Sequence, residues 1–143
     1  MTGPRAGARF GVAPYFLARG AMTEKVLIVD DEPIVRRATA ALLTRDGFDV
    51  TVAGSPAEVP AWEKYAVGVF DVCLCGRDGI GFARAMIDAG QVREAIFYTG
   101  GGDDALYRRA REVGTVVTKP DLEPLREAVK RLSLPPPARP SSR

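Results

Sequence analysis

Histidine is absent from this chain. Without it there can be no Ser-His-Asp or Cys-His nucleophile pair, and the chain cannot itself serve as a phosphohistidine donor. Cysteine is nearly absent: Cys73 and Cys75 are the only two. A pair at C-x-C spacing, with no imidazole to assist, cannot complete a tetrahedral zinc site within one chain, and two thiols are too few to staple a small secreted scaffold. The composition points to a reducing cytoplasm, with both thiols read as plain small side chains. No apolar run approaches the roughly 20 residues needed to span a bilayer. A large charge excess is lacking as well, since 20 basic and 18 acidic residues leave a formal charge of +2. A nucleic-acid partner would call for a marked basic excess, and the short cluster Arg108, Arg109 and Arg111 reads as a solvated helix face. Neither nucleic acid nor membrane is expected as a partner.

What is present is enough for one core. Apolar residues make up 46% of the 143-residue chain, which suits a single domain with ragged ends. Residues 1–23 are rich in Gly, Ala and Arg and read as a disordered extension. Arg5 and Arg9 precede an apolar run from Phe10 to Ala18, but Gly11 and Pro14 interrupt it and no small-residue cleavage site follows. Residues 133–143 hold four prolines and read as a disordered tail.

Between these ends, short β-branched runs alternate with helical segments. The predicted strands are Val26–Val29, Asp49–Ala53, Val67–Phe70, Ala95–Tyr98 and Thr115–Thr118. The predicted helices are Ile34–Arg45, Pro56–Tyr65, Ile80–Ala89, Asp103–Val113 and Leu122–Leu132. Strictly alternating strands and helices imply parallel pairing, and consecutive apolar residues within strands imply cover on both faces. Gly47, Gly90 and Gly114 follow helices where a left-handed cap is useful. Ser55-Pro56 looks like a helix start, whereas Pro60 should kink or shorten the helix it opens.

In an open parallel sheet, chemistry collects beyond the carboxyl ends of the strands. Those positions hold Asp30-Asp31-Glu32 after the first strand, Asp71 after the third, Thr99 at the fourth and Lys119 at the fifth. Taken singly, each is as well explained as a cap, a turn or a solvated side chain. Jointly they set carboxylates, a hydroxyl and an ammonium on one rim. Clustered carboxylates raise one another's pKa unless a cation neutralises them, and Mg²⁺ is the natural hard cation. A lone aspartate beside Mg²⁺, Lys119 and Thr99 can attack phosphorus and form an acyl phosphate. The metal and Lys119 would offset charge on the phosphoryl oxygens while Thr99 donates a hydrogen bond.

The same residues carry a family resemblance. KVLIVDDEPIVRR (25–37), VGVFDVCLCGRDG (67–79), IFYTGGG (96–102) and VVTKP (116–120) resemble the receiver domain of two-component response regulators, of the stand-alone single-domain type, over residues 24–132. The resemblance implies an α/β flavodoxin-like (βα)5 three-layer sandwich whose five-stranded parallel sheet has the order 2-1-3-4-5. It also implies a non-enzyme signalling module, phosphorylated on Asp71 with Thr99 and Lys119 assisting. Asp31, Asp71 and the backbone carbonyl of Cys73 would ligate Mg²⁺ directly, and Asp30 through water. The implied partners are a sensor histidine kinase or histidine phosphotransfer protein, docking near the first helix, and an output protein. Three positions depart from the pattern. Cys75 stands where the loop usually has proline, the stretch from Gly114 to Lys119 is short, and Val116 occupies the place of an aromatic switch residue. Two other readings use overlapping residues: a pseudo-receiver that binds partners without phosphorylation, and a small aspartate-nucleophile phosphohydrolase of the haloacid dehalogenase type. The second should end its first strand in Asp-x-Asp, where this chain has Asp30-Asp31-Glu32-Pro33. A flavodoxin that binds flavin fits less well, because the loop after the first strand is acidic where a phosphate needs donors.

Overall fold

A computed structural model describes residues 23–135. Its first strand, β1 (Lys25–Val29), leads into α1 (Pro33–Arg45), β2 (Asp49–Ala53) and a single 3-10 turn at Pro56–Glu58. The chain then forms β3 (Tyr65–Phe70), the two-residue strands β4 (Cys73–Leu74) and β5 (Arg77–Asp78), and α2 (Gly79–Asp88). It closes with β6 (Val92–Thr99), α3 (Asp104–Val113), β7 (Thr115–Thr118) and α4 (Leu122–Ser133). The main sheet runs β2-β1-β3-β6-β7 with every pair parallel. Counting only its five strands, that is the expected 2-1-3-4-5 order. The two short strands form a separate antiparallel ribbon.

The apolar runs divide by strand alternation, because successive side chains point to opposite faces. Val26, Ile28, Val67, Val69 and Ile96 pack with Leu43 of α1 and Leu125 and Val129 of α4. Leu27, Val29, Phe70 and Phe97 pack on the other face with Ile80, Ala83 and Met86 of α2 and Ala110 of α3. There Phe70 meets Phe82 edge-on at 5.9 Å between ring centroids. The central strands are therefore apolar at consecutive positions wherever both faces are covered by helices, and the exposed Lys25, Arg93 and Glu94 fall near their amino ends.

The second expected helix is not formed. Pro56–Tyr65 yields only one 3-10 turn, an irregular segment, and Tyr65 as the first residue of β3. Pro60 lacks an amide hydrogen and its ring clashes with the preceding helical turn, so the segment takes its bonds elsewhere. The Gln91 side chain donates to the Ala61 carbonyl at 2.9 Å, and the Tyr65 amide donates to the Gln91 carbonyl at 2.7 Å. Trp62, 82% exposed, lies within this segment.

Other differences are smaller. The strand expected at Ala95 begins at Val92. Gly47 and Gly90 have positive φ, but Gly114 is extended at φ −163°. Gly114 is instead a close approach: a Cβ there would lie 2.2 Å from the Ala95 carbonyl oxygen. Ser133, expected to open the tail, is buried and ends α4, whose last carbonyls at Leu132, Ser133 and Leu134 accept from the Arg93 guanidinium. The extension before Thr23 and residues 136–143 of the tail lie outside the described residues. Among the described residues, no helix is long and apolar enough to cross a membrane.

Candidate functional site

The sheet order reverses direction at β1 and β3, and the carboxyl ends of these strands bound the crevice where open α/β sheets hold ligands. Asp30 follows β1 and is 3% exposed. Its amide continues the ladder by donating to the Ala53 carbonyl, and its own carbonyl accepts from Arg36 at 2.7 Å. Its carboxylate accepts from the Glu32 amide at 2.9 Å, which fixes the turn into α1. Pro33, the first residue of α1, needs no amide partner there.

Lys119 follows β7 and draws the rim together. Its ammonium lies 2.8 Å from Asp71, 3.0 Å from Asp30 and 2.5 Å from Glu32. Burial pulls the Lys119 pKa down, but the bonds to Asp71, Glu32 and Asp30 outweigh it, and the net shift is upward. Burial pushes the Asp30 carboxyl above its ordinary value, opposed by the Glu32 amide and by Lys119. Ligand atoms of Asp30, Glu32 and Asp71 lie within 4.8 Å of one another. Three carboxylates and one ammonium sum to −2, a charge that a divalent cation would neutralise. The donor set is all oxygen, as Mg²⁺ prefers, so the residues present fit such an ion.

Asp31 stands apart from this group. Its carboxylate accepts from the Cys75 amide at 3.0 Å. The Cys73 amide reaches toward Asp71 at 3.5 Å, at the edge of hydrogen bonding. Thr99 is 2% exposed, and its hydroxyl donates to the Gly101 carbonyl at 3.3 Å. Asp71, Cys73, Thr99 and Lys119 line an open cleft of about 520 Å³, joined by Glu32 and Leu106. Gly100 also borders it, although a Cβ there would meet only Lys119 carbons at 3.5 Å or more, so the room does not depend on that glycine. Gly79 is more constrained. Its amide donates to the Val72 carbonyl, and a Cβ would lie 2.0 Å from the Asp71 carbonyl oxygen. Only glycine lets α2 begin this close to Asp71.

Asp30, Asp71, Thr99 and Lys119, singled out from the sequence, do converge. Glu32 is the residue that sequence reasoning passed over as part of the site, although the run Asp30-Asp31-Glu32 displayed it.

A five-stranded parallel sheet in this order, with acids at two strand ends and a lysine at the last, defines a flavodoxin-like α/β domain. The structure superposes on a CheY-like response regulator receiver domain from Methanospirillum hungatei with a TM-score of 0.70 at 22% identity, covering 78% of this chain and 94% of that one. A BeF3-activated DrrB receiver domain gives a TM-score of 0.69 at 26% identity, covering 78% and 97%. In sequence, the chain is 32% identical to a probable chemotaxis protein CheY of Rhizobium etli over 115 residues, covering 74% of this chain and 89% of that protein. It is also 32% identical to the transcriptional regulatory protein AruR of Pseudomonas aeruginosa over 92 residues, which is 59% of this chain but only 37% of AruR. Residues 26–130 match the response regulator receiver domain, and the chain belongs to that family.

Proposed function

We propose that Asp71 accepts a phosphoryl group from the phosphohistidine of a histidine kinase or phosphotransfer protein, in the cytoplasm, and that the phosphorylated form signals through protein contacts. The observation that carries this reading is Lys119 bonded to both Asp71 and Asp30 at the mouth of the cleft. One carboxylate oxygen of Asp71 attacks phosphorus, the P–N bond breaks, and its electron pair returns to the donor imidazole. The product is an acyl phosphate on Asp71. Lys119 offsets charge on the transferring group, and Thr99, by leaving its bond to Gly101, can donate to a phosphoryl oxygen. A bound Mg²⁺, held by Asp71 and the acids after β1, would neutralise phosphoryl charge. The chain catalyses only this transfer and its own dephosphorylation, in which water attacks phosphorus, inorganic phosphate leaves and the Asp71 carboxylate is restored.

Intact-mass measurement after incubation with acetyl phosphate tests the proposal. One added phosphoryl is expected with Mg²⁺, none with chelator and none in Asp71→Asn. Label persisting in that variant would move the acceptor elsewhere, and no label in the wild-type chain would favour a phosphorylation-independent interaction module.

A further inference from the structure

We propose that residues 10–17 of this chain, Phe-Gly-Val-Ala-Pro-Tyr-Phe-Leu, dock over Trp62 and the apolar crossover that stands in place of the second helix. The proposal goes beyond the phosphoacceptor reading and does not rest on it, because this surface lies at the other end of the sheet from Asp71. Glu63, beside Trp62, pairs with Lys25 at the start of β1, and the Ala61 carbonyl accepts from Gln91 just before β6. Both contacts tie Trp62 to the amino ends of the strands, whereas the cleft opens at their carboxyl ends.

The crossover is apolar without being covered. Residues 56–62 read Pro-Ala-Glu-Val-Pro-Ala-Trp, with a single charge, and none of the seven is buried. A helix would gather such apolar residues into one stripe against the sheet. Pro60 prevents that helix, so Ala57, Ala61 and Trp62 stay exposed. Trp62 is the largest of them at 82% exposed, and tryptophan is among the residue types most enriched where surfaces bind. Three features favour the chain's own amino-terminal segment as the occupant. The described chain begins at Thr23, two residues before Lys25, so the segment departs beside the Lys25–Glu63 pair. Six residues, from Leu17 to Thr23, reach about 20 Å when extended, farther than the two paired side chains that separate β1 from the crossover. Charge agrees as well: residues 1–22 carry Arg5, Arg9 and Arg19 and no acid, whereas Glu24, Asp49, Glu58 and Glu63 outnumber Lys25 and Lys64 around the crossover. A short tether also gives the segment a millimolar effective concentration, which a separate partner would have to match.

Trp62 is the only tryptophan, so its fluorescence reports the contact directly in the full chain. Wild-type emission should be blue-shifted from that of free tryptophan and weakly quenched by acrylamide, at every protein concentration. The combined variant Phe10→Ser, Tyr15→Ser and Phe16→Ser should move the emission to the red and raise the quenching constant about twofold or more. Circular dichroism and thermal melts establish that the variant keeps its fold. From the other side of the contact, Trp62→Ser should move the amide resonances of residues 10–17. Wild-type emission that is already fully solvent-exposed, quenching unchanged by the three serines, or unmoved resonances in Trp62→Ser would each overturn the proposal. Protection that vanishes on dilution would overturn it too, by assigning the cover to a second copy. None of these outcomes bears on phosphorylation of Asp71.

Discussion

Lys119 holds three like charges in place, two of them well buried: its side chain is 10% exposed, that of Asp30 5% and that of Asp71 14%. Removing the ammonium leaves those carboxylates without a counter-charge. Lys119→Met should therefore cost about 3 kcal/mol in chelator, read by urea unfolding, with part of the loss recovered on adding Mg²⁺. A variant as stable as wild type in chelator would show that the three-way contact holds nothing. Asp78 acts at the other end of the loop. Its carboxylate accepts from the Gly81 amide at 3.0 Å and from Arg109 at 3.2 Å, and its pKa is lowered, first by the amide. A lowered carboxyl pKa contributes stability that is present above the unfolded value and lost as pH falls through the folded one. Asp78→Ala should thus cost about 1 kcal/mol at neutral pH, and the gap from wild type should close in acid, below about pH 4. A gap that persists there would assign the loss to packing. At this scale Asp71, Thr99 and Lys119 could be picked out from the sequence, because strand ends can be read from apolar runs. The sequence did not show that Asp30 and Glu32 join Asp71 while Asp31 accepts from the Cys75 amide, 44 residues away.

Among the elements, the segment Gly100–Gly102 and α3 form one wall of the cleft. Leu106 lines the cleft, and Arg109 ties α3 to the Asp78 cap of α2. Val116, at the place the family resemblance assigns to an aromatic switch residue, is half-buried against the same core face as Leu106 and Val113, and its branched side chain has little rotamer freedom. Phosphorylation should therefore be transmitted through residues 100–113. Amide shifts on adding beryllofluoride should be largest there and modest over Thr115–Lys119. Shifts centred on Val116 and α4 would refute this route. The missing second helix shows how local signals mislead: Ser55-Pro56 announces a helix start, yet Pro60 four residues on leaves no room for two turns. Tyr65 was misassigned for the same reason, because its strand bonds are made to a partner distant in sequence. The β4–β5 ribbon could not be foreseen, since two-residue strands carry no period.

For the molecule as a whole, cation binding and folding should be linked, because the carboxylates around Lys119 come together only in the native sheet. An ion that binds only the folded state stabilises it by about 1.4 kcal/mol at ten times its dissociation constant. Urea unfolding with and without Mg²⁺ should show that gain in wild type and a smaller one in Asp71→Asn. Equal curves in the two proteins would place any bound ion away from Asp71. Five main strands and their parallel pairing could be anticipated from the sequence alone, because strands covered on both faces are rich in consecutive apolar residues and each return crossover is long, whereas their order was implied by the family resemblance. The same logic placed Asp71, Thr99 and Lys119 on one rim. Only the tertiary structure decided that the second crossover is not a helix, that Ser133 closes α4 under the Arg93 guanidinium, and that Glu32 enters the acidic cluster while Asp31 leaves it. Periodicity reports which face of an element is buried, whereas these outcomes turn on contacts between residues far apart in the chain, where hydrogen-bond donors must find partners that no local pattern names.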